Sequence, residues 1–212
     1  MNKAKKFLIL ALCAVLLVAG SVMGTLAWLT SNATVTNTFT VGKVAITMDE
    51  LNVDGKDANG NDNSSEERDA ANKYKLVPGK ILQKDPTITV SSDSEDCYLF
   101  VKIVNGLADV EDSTSANKIA DQLTANGWKA LSGVANVYYY AGGQNTAIVN
   151  SKGAVPAGAV TVVFSTFPIS KTASETELNN YKDATIEIVA YAVQAEGFDT
   201  AAAAWAAANF LG

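Results

Sequence analysis

Histidine and cysteine, two side chains that often perform catalysis, are scarce in this chain of 212 residues. It contains no histidine, so imidazole bases, the serine triad and the two-histidine zinc helix are all excluded. A zinc site would have to combine Cys97 with Glu95 and Asp96. Successive side chains of a strand point to opposite faces, however, so these three would not converge on one ion. We therefore predict that the protein is not an enzyme and needs no cofactor.

A polar segment at residues 52–75 offers the oxygen ligands that calcium prefers. Its order differs from an EF-hand, because Gly60 comes early and no glutamate closes the loop. The segment has almost no large apolar side chain, so we expect a mobile surface loop. Weak calcium binding is the alternative, with these candidate ligands: Asp54, Asp57, Asn59, Asn61 and Asp62.

The N-terminus has the layout of a cleavable export signal. Three lysines precede an apolar run at residues 7–23 that contains no charged residue. Small residues follow, and we expect cleavage between Ala27 and Trp28. Residues 1–27 would then form a signal-peptide helix and residues 28–212 the mature protein. The alternative is an uncleaved anchor; after cleavage no stable membrane span is expected.

Removal of this leader changes the charge and the cysteine content. The formal net charge falls from −6 to −9, because the leader carries three lysines and no acid. Such a surface repels nucleic acid and anionic lipid, and its self-repulsion makes any assembly salt-sensitive. Cys97 is then the single cysteine, so no internal disulfide can form, which suits export from a Gram-positive bacterium. We expect Cys97 to be a buried small hydrophobe; a reactive or intermolecular thiol is the alternative.

The segment directly after the cleavage site has the alternation of a strand. Threonines at every second position of residues 34–40 leave a mostly apolar opposite face, formed by Val35, Phe39 and Val41. The alternation changes parity at Gly42, which therefore marks a bend between two sheets. It resumes with Val44, Ile46 and Met48.

Further alternating runs predict an all-β protein with minor helices. The predicted strands are residues 87–90, 97–104, 134–140, 146–150, 159–167 and 184–193. The run 97–104 is apolar on both faces, so we expect a central strand. A Gly-Gly pair suggests a hairpin between 134–140 and 146–150. Short strands separated by turns favour a jelly-roll-like antiparallel β-sandwich, here preceded by the signal-peptide helix.

Two helices are predicted beside the strands. Residues 115–126 begin with a serine cap and form a short amphipathic helix inserted in the β scaffold. The tail at 199–210 is alanine-rich, with Asp199 as its expected cap. Phe198 and Trp205 would share one face of it. We expect that face to pack on the end of the sandwich; an aromatic ligand platform is the alternative.

The run GTLAWLTSNATVTNTFTVGKVAITMDE resembles the N-terminal signature of the TasA and camelysin family, exported through the SipW type of signal peptidase. LVPGK, KDPTITV, EDCYLFVKIVN and IEIVAYAVQAEGFDTAAAAW extend the resemblance over nearly the whole chain. It implies a jelly-roll fold and biofilm matrix fibres. In these fibres the N-terminal strand of one subunit, here residues 28–41, enters the sheet of the next.

The physics of a freed N-terminal strand agrees with that implication, because its backbone can pair with any exposed edge. Burial of Val35, Phe39 and Val41 is roughly balanced by the entropy of ordering the strand, so ladder hydrogen bonds must favour assembly. We expect self-association that depends on concentration and can require a nucleating matrix protein.

The sequence is compatible with three functions. The first is a secreted fibre subunit of the extracellular matrix or cell surface. The alternative is a monomeric surface adhesin or binding module, contacting its ligand through loop 52–75 and Tyr138, Tyr139 and Tyr140. A camelysin-like metalloprotease is less favoured, because the chain supplies no histidine for such a site.

Overall fold

The computed structural model describes residues 3–5, 42–56, 68–70, 72–143 and 148–210. The chain divides into two compact units, Met1–Thr40 and Val41–Gly212. Residues 3–5 are the described part of the first unit, and they are helical. Among the described helices, none is long and apolar enough to cross a membrane.

The described part of the second unit consists mostly of antiparallel strands. In chain order these are β1 (Ile46–Leu51), β2 (Arg68–Asp69), β3 (Ile81–Gln83), β4 (Thr87–Val90), β5 (Cys97–Asn105), β6 (Trp128–Ala130), β7 (Val137–Tyr140), β8 (Val160–Val162), β9 (Thr166–Pro168) and β10 (Ile186–Gln194). One sheet has the order β2-β1-β4-β8, a second has the order β10-β5-β7-β6, and β3 pairs with β9. The prediction of a β-rich antiparallel fold with few helices is confirmed.

Strand β5 lies inside its sheet, as its apolar character on both faces predicts. It pairs with β10 over its whole length, from Cys97 opposite Gln194 to Asn105 opposite Ile186, and with β7 on its other side. The side chains of Cys97, Leu99, Val101 and Ile103 enter the larger hydrophobic core. Tyr98 and Phe100 enter a second cluster on the opposite face. Both faces of β5 are therefore covered, as in other central strands.

The larger core joins the two four-stranded sheets. Ile88 and Val90 of β4 belong to the same cluster as Leu99 and Val101 of β5, and all four are almost fully buried. Each such side chain contributes about 1.5–3 kcal/mol when it leaves water. This shared core is the main stabilising contact between the sheets.

A C-terminal helix, α3 (Ala201–Ala208), covers the outer face of the second sheet. The Trp205 ring lies 5.0 Å from Phe100 and 5.4 Å from Tyr191, measured between centroids. The cap is Thr200, whose hydroxyl accepts from Ala203 N at 3.1 Å. Asp199, expected to be the cap, instead forms an ion pair with Lys152. The aromatic residue thus packs on a sheet face rather than at the end of a sandwich.

Two shorter α-helices and a 3-10 helix at Ala108–Val110 complete the described helices of the second unit. Helix α1 (Ile119–Ala125) begins after Lys118, and the carboxylate of Glu111 accepts its first amide at 2.6 Å. The serine expected to cap it, Ser115, accepts from Asn117 N within the preceding turn. Helix α2 (Glu175–Asn179), capped by Ser174, was not predicted.

Two strand predictions differ from the structure. Strand β7 forms its hairpin with β6, whereas residues 148–150 are not a strand. The buried Trp128 of β6 anchors that pairing, and its indole nitrogen donates to Val162 O at 3.0 Å. The run 159–167 is divided into β8 and β9 because consecutive Val163 and Phe164 are both fully buried, which interrupts the alternation of a strand.

Candidate functional site

Most of the residues singled out from the sequence lie outside the described part of the chain. This holds for the cleavage pair Ala27 and Trp28 and for the polymerisation strand 28–41, with Val35, Phe39 and Val41. It also holds for four calcium candidates: Asp57, Asn59, Asn61 and Asp62.

Asp54 is the calcium candidate that the structure describes. Its Oδ1 accepts from Lys56 N at 2.9 Å and its Oδ2 accepts from Lys73 N at 2.7 Å. Both carboxylate oxygens therefore bind backbone amides and hold the two ends of loop 52–75 together. Within the described ranges, no group of three or more His, Cys, Asp and Glu side chains is placed to hold a metal ion.

The three consecutive tyrosines do not form one contact surface. Tyr138 and Tyr140 contact the larger core, whereas Tyr139 contacts the second cluster. Tyr140 is 2% exposed, and its hydroxyl accepts from Gly143 N. Because neighbouring side chains of a strand point to opposite faces, a run of tyrosines in β7 cannot present a single binding patch.

The first candidate interaction site is the free side of β10, here called the open edge. Strand β10 is nine residues long and ends its sheet; among the described residues it pairs only with β5. An unpaired edge of this length presents a row of backbone donors and acceptors to another strand. The open edge is therefore suited to strand addition.

The register of β5 shows which backbone groups of β10 point outward. Cys97 exchanges both of its backbone hydrogen bonds with Val155, on the side of β5 away from β10. Its partner Gln194 is therefore a non-hydrogen-bonded position, and its N–H and C=O point away from β5. The same orientation recurs at every second residue: Ile186, Ile188, Ala190 and Ala192.

The side chains along β10 are incompletely covered. Apart from exposed Glu187, every residue of the strand is half-buried, whereas Cys97–Val101 of the neighbouring β5 are buried. Its even-numbered apolar residues pack against the larger core, and Tyr191 and Val193 pack against the second cluster. A further strand beside β10 would cover both faces and remove more apolar surface from water.

The described range 42–56 begins at one end of the open edge. A Cβ placed on Gly42 would lie only 3.0 Å from the side-chain oxygen of Gln194, the last residue of β10. The backbone at Gly42 thus contacts the end of this strand.

The second candidate site is a cleft of about 560 Å³ between β1, the chain at 72–76 and the start of β10. At its base the Lys84 ammonium lies 2.7 Å from Glu50 Oε2, and Glu50 is only 5% exposed. The ammonium also lies 5.4 Å from the centre of the Tyr74 ring. A buried ion pair carries a desolvation cost, so its presence is weak evidence for stability alone.

Tyr74 contributes a hydroxyl that has no hydrogen-bond partner in the described structure, although the atom is buried. Burial, followed by the negative charge of Glu50, raises the pKa of Tyr74 well above its ordinary value, so the phenol stays protonated. Glu50 contributes to this rise through its charge and as a hydrogen-bond acceptor, although no group meets the distance and angle of a hydrogen bond to the Tyr74 hydroxyl in the described structure. The Tyr74 hydroxyl is therefore a protonated, buried donor without an acceptor in hydrogen-bonding geometry among the described residues.

Arg68 in β2 fixes the polar wall next to the cleft. Its guanidinium forms an ion pair with Asp49 of β1, bonds Asp85 at 2.9 Å and donates to Thr87 Oγ1 at 2.8 Å. The planar guanidinium of Arg68 thus joins β2 to β1 and β4. The C-terminal part of loop 52–75 thus contains a strand and side chains that hold the first sheet.

Sequence reasoning missed Glu50, Lys84 and Tyr74. One signal could have found the first, because Glu50 continues the inward parity of Ile46 and Met48. A carboxylate at an inward position of an alternating strand requires a buried partner. No signal in the sequence indicates that this partner is Lys84, which lies 34 positions away.

Comparison with protein-family models, curated proteins and solved structures gives no match to this chain. Functional proposals therefore depend on the open edge and the cleft.

Proposed function

We propose that the protein is a secreted subunit of extracellular matrix fibres, assembled when the N-terminal strand of one copy pairs with the open edge of another. The observation that carries this proposal is the nine-residue open edge of β10. Export through a SipW-type peptidase, with cleavage between Ala27 and Trp28, would free residues 28–41 for this pairing. The resemblance to the TasA and camelysin family supports the same reading.

Strand length and backbone geometry support the pairing. The donor segment 28–41 is longer than β10, so it can span the whole edge. The outward groups from Ile186 to Gln194 would supply the ladder, with a net gain of about 0.5–1.5 kcal/mol per hydrogen bond. Residues 28–41 of the same copy and residues 28–41 of another copy would compete for the open edge. Because pairing between copies is favoured by a higher protein concentration, assembly would depend on concentration.

The proposal includes the jelly-roll arrangement of the sandwich that the resemblance implies. The core shared by β4 and β5 supports two facing sheets. In such a sandwich the two outermost strands of each sheet are the positions where a donated strand can be added.

A proline at an outward position of β10 tests the pairing. Ala190→Pro removes an N–H that does not bond β5, so the β5–β10 ladder is kept while the outer ladder is blocked. We expect no fibres by electron microscopy from the mature variant. Ala190→Ser keeps the N–H and serves as the matched control. Deletion of residues 28–41 should give the same loss.

Two results would contradict the proposal. One is fibres of normal appearance from the folded Ala190→Pro chain, and the other is fibres from the chain lacking residues 28–41. Circular dichroism and thermal unfolding of each variant establish whether the domain is folded, so that a loss of fibres is not confused with a loss of structure.

A monomeric binding module is the second candidate, and the cleft at Glu50 and Lys84 is the observation that favours it. Sedimentation of the mature chain at high concentration and high salt separates the two, since a module stays monomeric while a fibre subunit does not. A casein assay with and without a chelator tests the camelysin-like protease, for which we expect no activity.

A further inference from the structure

The cleft has the size and construction of a small-molecule site. Its volume of about 560 Å³ lies within the range of about 300–1,000 Å³ that such sites occupy. Its walls come from separated parts of the chain, namely β1, the segment 72–76, Lys84 and residues 181–186. Pockets of this kind combine apolar walls with a few polar groups that orient a ligand.

The apolar part of the cleft can hold a hydrocarbon body. Leu82, Leu107 and Phe167 are at most 7% exposed and belong to the larger core. Their side chains, with half-buried Leu76 and Ile186, line the cleft. Contact with these groups would remove ligand surface from water at about 25 cal/mol per Å².

The charged side chains lining the cleft are mostly cationic. Three lysines line it, Lys73, Lys84 and Lys182, against the two acids Glu50 and Asp183. The side chains that line the cleft therefore sum to a formal charge of +1, in a chain whose formal net charge is −6. A positive site on an acidic protein favours an anion over a cation.

Two of the hydrogen-bonding groups at the base, beside the Glu50 carboxylate, are donors. Tyr74 Oη has no partner among the described residues. Lys84 Nζ gives one hydrogen bond, to Glu50 Oε2, and an ammonium carries three N–H groups. The charges of Asp54 and Asp85 also raise the pKa of Tyr74. Both carboxylates already accept hydrogen bonds from other groups: Asp54 from backbone amides, and Asp85 from Arg68 and Leu51 N.

We propose that the cleft binds a small amphiphile with one anionic group. The apolar body would lie against Leu82, Leu107 and Phe167, and the anionic oxygens would accept from Tyr74 Oη and Lys84 Nζ. Lys182 at the rim adds long-range attraction. This site is separate from strand exchange and stands whether or not the protein forms fibres. A carboxylate and a phosphate monoester share the required chemistry.

Isothermal titration calorimetry on the full chain tests the site with three probes of equal chain length: octanoate, octyl phosphate and neutral 1-octanol. We expect saturable one-to-one binding of at least one anion and at least about tenfold weaker binding of octanol, since a hydrogen bond to a charged group is lost. Tighter binding of octanoate would identify the ligand's anionic group as a carboxylate, and tighter binding of octyl phosphate would identify it as a phosphate monoester.

Variants assign the binding to the cleft. Tyr74→Phe removes only an unpartnered hydroxyl, so we expect unchanged thermal stability and an affinity about tenfold lower for the anion. Lys182→Gln at the exposed rim should lower the affinity about threefold, whereas Lys171→Gln, exposed and outside the cleft, should leave it unchanged. Equal affinity for octanol, no effect of Tyr74→Phe, or no saturable binding of either anion would overturn the proposal.

Discussion

At the residue scale, Glu111 couples the start of helix α1 to pH. Its Oε1 accepts from Ile119 N at 2.6 Å and its Oε2 accepts from Asn105 Nδ2 at 3.2 Å. Burial nevertheless raises the pKa of Glu111 above its ordinary value of 4.5, because desolvation outweighs these hydrogen bonds. The folded state therefore binds a proton more tightly than the unfolded chain does.

Glu111→Gln should reduce the pH dependence of stability. In the unsubstituted protein the contribution of Glu111 is fully present below pH 4.5 and is lost as the pH rises through the raised, folded-state pKa. We expect the difference in free energy of unfolding to shift in favour of the glutamine variant between pH 4 and pH 7, measured by urea unfolding. The glutamine amide introduced next to Asn105 can also change the free energy of unfolding, but this change is the same at every pH. A difference that does not change with pH would contradict the assignment.

Cys97 should be chemically silent in the folded protein. It is fully buried, and desolvation together with the charge of Asp96 raises the pKa of its thiol to about 12. In the chain that begins at Trp28, where Cys97 is the single cysteine, we expect no reaction with Ellman's reagent at pH 8 in the native state and full reaction in guanidinium, since the thiolate is the reactive form. Ser132→Cys, at an exposed position, is the control that should react at once. Rapid native modification of Cys97 would refute this.

At the element scale, the capping of α3 depends on Thr200 rather than on the acid before it. The Thr200 hydroxyl bonds Ala203 N, whereas Asp199 faces Lys152. Trp205 then fixes the helix on the sheet through its contacts with Phe100 and Tyr191.

Thr200→Ala should therefore lower the free energy of unfolding by about 1 kcal/mol, the usual effect of losing an N-cap. Asp199→Ala is the matched comparison and should have a much smaller effect, because its ion pair is exposed. Urea unfolding of the two variants measures the difference. A larger loss for Asp199→Ala would mean that the acid caps the helix.

At the scale of the whole molecule, net charge should control assembly. Cleavage between Ala27 and Trp28 would leave a chain of formal net charge −9 that repels its copies, and the Debye length falls from about 30 Å to about 8 Å between 0.01 and 0.15 M salt. We expect faster fibre growth by light scattering over this range. The Ala190→Pro chain, blocked at the open edge, should not assemble at any salt concentration. Slower growth at higher salt would indicate that ion pairs, rather than backbone pairing, drive the contact.

Much of the strand content could be predicted from the chain itself. The alternation in residues 87–90, 97–104 and 184–193 gives β4, β5 and β10 almost to their ends. Alternation and apolar character are local properties of the sequence, so they can be recognised without knowing which strands will pair. The same local reasoning placed β5 inside its sheet and a helix within 115–126.

Tertiary structure alone decided which strands are neighbours and which side chains meet. Strand β7 pairs with β6 rather than with residues 148–150, and within the described ranges β10 is left with an open edge. Lys84 reaches Glu50, and Thr200 replaces Asp199 as the cap. Sequence alternation sets the face of each side chain, but pairing depends on competition among distant partners and on the entropy of closing the loops between them.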